Sequence, residues 1–150
     1  MFPLCFIFVK KKVIRFFHEN FLTLDETHIS EWLIEIAKQY GYSIQQMDYN
    51  FVDATTLLEL NQKHLNHDTD TDILTFDYTV DTKITAEAFI SCEALIENAK
   101  KYNQSAEKET LRLVSHALLH CMGQNDKSED EKLTMQRKED ACLAMFHVKQ

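Results

Sequence analysis

Between Leu111 and Met122 the sequence LRLVSHALLHCM carries apolar side chains around most of a helix. At about 100° per residue, Leu111, Val114, Leu118 and Met122 form one stripe. Leu113, Ala117 and Cys121 widen it on one flank, and Leu119 on the other. A helix that is apolar over so much of its circumference has to be covered on most sides. The fold is therefore a shell built around this segment. His116 and His120 lie about 40° apart on the face that remains, so both imidazoles point into one shared space.

The covering elements can be read along the chain. VIRFF (Val13–Phe17) is β-branched and aromatic and reads as a strand. A helix follows, capped by Thr23 or Asp25, with Ile29, Trp32, Leu33, Ile36 and Ala37 at helical spacing and Gly41 at its end. SIQQMDYNFVD reads as a second strand and ATTLLELNQKHL as a short helix. Ile73, Leu74 and Phe76 mark a third strand and FISC (Phe89–Cys92) a fourth, with the helix CEALIENAKKY behind it. Ser105 caps the apolar helix, but Lys108 stands where the glutamate of a capping box would be. Ser128 caps a last helix with three acids in its first turn, which suits the helix dipole. Only two glycines and one proline punctuate 150 residues, so long elements and short loops are expected.

The chain is long enough for one domain with a substantial core. Its net charge of −8, from 16 basic and 24 acidic residues, argues against broad electrostatic binding of nucleic acid. A local basic wall is still available from Lys10, Lys11, Lys12, Arg15, Lys63, Lys100 and Lys101. Four cysteines (Cys5, Cys92, Cys121, Cys142) occur with no CxxC, which fits reduced thiols better than a disulfide framework. Cys121 adjoins His120 but reads as a core side chain.

Gly123 can take positive φ, end the apolar helix and turn the chain back. Asp126 could then lie beside the two imidazoles. HxxxHxxGxxD would supply two nitrogens and one oxygen and leave a position for water, the arrangement of a catalytic zinc rather than a structural one. The spacing alone also fits two ordinary core histidines and an aspartate in a solvated turn. Zinc peptidases of the HExxH type carry their general base beside the first histidine. Here that position is Ala117, so a peptidase reading lacks its base.

HALLHCMGQND, Leu60–Phe76 (LNQKHLNHDTDTDILTF) and FISCEALIENAKKY together resemble the YbeY family of metal-dependent endoribonucleases. The family motif HGxLHLxGYDH is matched at His116, Leu119, His120 and Gly123; Asp126 takes the place of its third histidine. Leu65 falls where the family has a basic residue. The resemblance implies an α/β (α+β) fold, a mixed four-stranded sheet packed with about five helices, with the metal site at the end of a central helix. It implies one zinc ion held by His116, His120 and Asp126. The implied activity is cleavage of single-stranded RNA in 16S rRNA 3′-end maturation and ribosome quality control. The implied partners are single-stranded rRNA and the small ribosomal subunit or its assembly factors, in the cytoplasm and with no membrane. No general base is identified: His64 and His67 precede TDILTF and read as solvated loop residues, while Thr71 and Asp72 read as fixing that loop through side-chain–backbone hydrogen bonds.

Two other readings stand beside this one: a zinc-stabilised ribosome-assembly binding factor with little nuclease activity of its own, and a zinc hydrolase of another substrate. The start, MFPLCFIFVKKK, is too short to span a bilayer, which takes roughly 20 apolar residues. Its lysines follow the apolar run, opposite to a signal peptide. It could be an edge strand, a membrane-proximal anchor or a start assigned too early. The last reading is adopted, with 1–12 as a non-core extension and 13–150 as one domain.

Overall fold

The computed structural model describes residues 12–65 and 71–148. Strand β1 (Ile14–Phe17) leads to helix α1 (Glu26–Gln39), capped by the Asp25 carboxylate, which accepts from the Thr27 N–H at 3.0 Å. Next come β2 (Ser43–Val52), α2 (Ala54–Leu65), β3 (Ile73–Asp77) and β4 (Lys83–Ser91). Three helices complete the chain: α3 (Cys92–Lys101), α4 (Ala106–Cys121) and α5 (Glu129–Val148). The sheet has the order β1-β2-β4-β3. β1, β2 and β4 run parallel, and β3 is antiparallel to β4. The mixed four-stranded sheet and five helices match the architecture expected from the sequence.

β4 differs from expectation in extent. It begins at Lys83, well before Phe89, and Cys92 opens α3 instead of closing the strand. Ile84, Ala86, Ala88 and Ile90 alternate inward along it. Alanine is a weak strand former, so two of the four inward positions carry little β signal. The small residues have a packing reason. Ala86 and Ala88 stand in register beside Met47 and Tyr49 of β2, both fully buried.

Helix α4 is enclosed as its sequence requires. Ten of its sixteen residues are buried. It packs against β3 and β4, and against α1, α3 and α5. Two buried polar groups tie the layers together. Tyr49 donates its hydroxyl to the Val114 carbonyl at 2.8 Å, and Trp32 donates its indole N–H to the Cys142 carbonyl at 2.7 Å. Leaving either donor unpaired in the core would cost about 1–3 kcal/mol. Burial also pushes the Tyr49 phenol well above its ordinary pKa, so it remains a donor throughout the physiological range.

The helix ends follow local chemistry. Ser105 caps α4 by accepting from the Lys108 N–H at 3.0 Å. Ser128 and Glu131 form a complete capping box at α5: Glu131 N–H donates to the Ser128 hydroxyl, and the Glu131 carboxylate accepts from the Ser128 N–H. The reading of 1–12 lies outside the described residues except for Lys12, as do His67, Asp68 and Asp70.

Candidate metal centre

The site is built at the C-terminal end of α4. Gly123 has φ +93°, and its N–H donates to the His120 carbonyl while the Gln124 N–H donates to the Leu119 carbonyl. This paired closure satisfies the last carbonyls of the helix and reverses the chain. Gly41 ends α1 with the same two bonds, to Lys38 and Ala37. Past the turn at Gly123, Asp126 returns to α4 and places Oδ2 3.3 Å from His116 Nε2.

The structure thus brings His116 and Asp126 together. His120 lies one turn further along α4 and is half-buried. Its side chain makes no hydrogen bond or ion pair among the described residues. Among those residues, no three His, Cys, Asp or Glu side chains stand grouped around one point as a metal would require. Cys121 is buried and turned elsewhere: its thiol senses Asp77 and Thr79 at the end of β3, and burial pushes its pKa up to about 12. It is a core residue, as read from the sequence.

The opposite side of the His116 ring holds what sequence reasoning missed. His116 Nδ1 lies 2.6 Å from Glu139 Oε2 of α5, and Glu139 is only 4% exposed. Glu139 Oε1 accepts from Arg112 Nη1 at 3.4 Å. Arg112 forks onto Glu109 with bonds of 2.8 and 2.6 Å, the bidentate geometry that makes such pairs strong. Asn98 bridges Glu109 to Asp72, and Asp72 reaches Arg112 at 3.8 Å. The loop before β3 is therefore pinned to α4 by Asp72 through side-chain contacts, whereas Thr71 bonds a backbone carbonyl, that of Ile73.

A signal for this seam was present in the sequence. Met135, Glu139, Cys142, Leu143 and Phe146 recur at helical spacing along α5, so an acid sits on an apolar stripe. Glu109, Arg112 and His116 likewise share one face of a helix that is otherwise covered.

The electrostatics follow from the geometry. Burial lowers the His116 pKa, and Arg112 adds to that. The hydrogen bond and charge of Glu139, with Asp126 behind them, outweigh both and leave it above the ordinary histidine value. The Arg112 guanidinium is held charged chiefly by its hydrogen bonds to Glu109, against the cost of burial. An ionised Glu139 can only accept, so Nδ1 carries a proton. Nε2 then faces the Asp126 carboxylate, and a bare lone pair opposite a carboxylate is repulsive. Either a second proton or a cation reconciles them. Two imidazoles and a carboxylate are also a donor set suited to zinc. By residue type His116, His120 and Asp126 would suit a divalent ion, although among the described residues they do not stand grouped around one point.

His116 and Asp126 border a cleft of about 640 Å³ between α4 and α5. Lys108 and Lys132 flank it, whereas Lys12, Arg15, Lys63, Lys100 and Lys101 do not; Lys10 and Lys11 lie outside the described residues. Arg15 is already engaged, forked onto Asp48 at 2.9 and 2.8 Å. His64 lies in the last turn of α2, edge-on to Phe76 at 5.6 Å between ring centres, and does not border the cleft.

The chain is similar to known proteins over most of its length. The family model for endoribonuclease YbeY matches residues 10–147. The endoribonuclease YbeY of Flavobacterium johnsoniae is 40% identical over 139 residues, covering 92% of this chain and 100% of that protein. That of Cytophaga hutchinsonii is 38% identical over 140 residues, covering 91% and 98%. The solution structure of TM1509 from Thermotoga maritima is similar with a TM-score of 0.61 at 25% identity, covering 91% of this chain and 90% of that one. A match that runs through nearly every described element, at this identity, makes the chain a member of the endoribonuclease YbeY family.

Proposed function

We propose that this chain is a single-strand-specific endoribonuclease that acts in 16S rRNA 3′-end maturation and ribosome quality control. Family membership supports a hydrolytic nuclease role in rRNA processing. The single observation that carries the site reading is the approach of Asp126 to His116 at the mouth of the cleft between α4 and α5. His116, His120 and Asp126 would hold one zinc ion, two of them from one face of α4 and the third returned by the turn at Gly123.

When bound, such an ion supplies Lewis-acid polarisation of a phosphoryl oxygen and a more acidic water. The protein's own part is placement. α4 holds both imidazoles one turn apart, and Glu139 bonds the far nitrogen of His116. A strand bound along the cleft would meet Lys108 and Lys132 at its border, which offer charge to the phosphates. Against an overall charge of −8, steering of an anionic strand would rest on local cations such as these. A cytoplasmic site of action and a small-subunit or assembly-factor partner complete the proposal. Among the described residues no helix is long and apolar enough to cross a membrane.

The experiment is cleavage of an unstructured RNA by zinc-loaded protein, with His116→Ala as a control for contaminating ribonuclease. The proposal expects cutting by the parent chain and loss of it in the variant at unchanged folding. Zinc-loaded protein that binds ribosomal particles but leaves the RNA intact would instead support the assembly-factor reading.

A further inference from the structure

The seam between α4 and α5 contains a carboxylate that a three-ligand centre does not require. Glu139 is buried, yet it does not serve simply to neutralise Arg112, because Glu109 already occupies Arg112 with two short bonds. The two oxygens of Glu139 are divided: Oε1 is held by Arg112 and Oε2 by His116 Nδ1. Rotating the carboxylate would strip one partner or the other.

We propose that Glu139 is a positioning residue for the candidate centre, fixing His116 as the Nδ1–H tautomer with Nε2 presented toward Asp126. Its consequence for metal rests on the reading of His116 as a ligand; its geometry does not. An ionised carboxylate is acceptor-only, so a 2.6 Å contact requires the proton on Nδ1. A neutral ring then has its lone pair on Nε2, the atom 3.3 Å from Asp126. Arg112, itself clamped by Glu109, orients Glu139 in turn. The chain Glu109–Arg112–Glu139–His116 thus runs from the buried body of α4 to the mouth of the cleft. Carboxylates that bond the far nitrogen of a ligating histidine set both its ring orientation and its basicity.

The test uses the full chain and two substitutions. Glu139→Met keeps the volume and suits the apolar stripe of α5, but removes the acceptor. Glu139→Gln restores an acceptor without the charge. Two-bond nitrogen–proton spectra of the His116 ring, in metal-free protein at a pH where the ring is neutral, report the tautomer. Competition with a chromophoric chelator reports zinc affinity. The parent chain should show the Nδ1–H pattern. Glu139→Met should lose that pattern and bind zinc about 10–100-fold more weakly, and Glu139→Gln should recover part of both. A Glu139→Met protein with the parent amide spectrum, the same tautomer and the same zinc affinity would overturn the proposal. If the parent chain binds no zinc, the ligand reading fails, while the tautomer spectra still decide the role of Glu139.

Discussion

The two flanks of α4 are both covered, but by different means. Toward the sheet, Leu118 and Ala117 are fully buried and Cys121 nearly so, in apolar packing. Toward α5, Glu109, Arg112 and His116 are covered by matching charges. Burying paired ions is weak evidence for stability, since desolvation offsets much of the attraction. Apolar burial is non-directional, whereas forked ion pairs fix orientation. The difference teaches a division of labour: one flank holds the helix in place and the other aims a side chain at the cleft.

That comparison can be broken by adjacent substitutions. His120→Ala should abolish stable zinc binding, while Cys121→Ala should leave zinc stoichiometry unchanged and alter only unfolding. Equal metal loss in both, read by inductively coupled plasma mass spectrometry, would contradict the assignment of the two flanks. Leu118→Ala on the packing flank should cost about 2–5 kcal/mol in chemical denaturation, with the protein that remains folded still binding zinc. Gly123→Ala should cost about 1–2 kcal/mol, because a side chain there meets open space and only the positive φ resists it. Since that turn delivers Asp126, zinc affinity should fall as well.

The smallest effects sharpen the comparison at Asp48 and at the thiols. The hydrogen bonds from Arg15 hold the Asp48 carboxyl below the usual aspartate range, with burial opposing and Gln46 assisting. A depressed carboxylate stabilises the fold above its unfolded pKa and loses that contribution as pH falls through the folded value. Asp48→Asn should therefore lower the melting temperature slightly at pH 7. The gap to the parent chain should close as the pH drops below about 4. Burial raises all three described thiols, Cys142 to about 11 and Cys121 to about 12, but Cys92 is only half-buried. A thiol reagent applied to folded protein should modify Cys92 ahead of both, as peptide mapping would record.

Much of this was legible in the sequence because it is local. The Asp25, Ser105 and Ser128 caps and both glycine closures follow from backbone chemistry within a few residues. The enclosure of α4 follows from its periodicity. β4 was only half legible, since Ala86 and Ala88 take their meaning from Met47 and Tyr49 across the sheet. Asp126 is expected beside both imidazoles because a glycine turn constrains where the next three residues can go; the structure brings it to His116 alone among the described contacts. Glu139 was not legible, because 23 positions separate it from His116 and only the packing of α5 on α4 brings them together. An acid on an apolar stripe announces that a partner exists without saying which one.

The central claim is that the polar flank of α4 and Asp126 converge on one ion. A map of anomalous scattering at the zinc edge, from crystals grown with zinc, tests this directly. The account requires a single peak about 2.0–2.2 Å from His116 Nε2, from a His120 nitrogen and from an Asp126 oxygen, with Glu139 still on Nδ1. A peak bonded through His116 Nδ1, a fourth protein ligand closing the centre, or no zinc at these residues would contradict it.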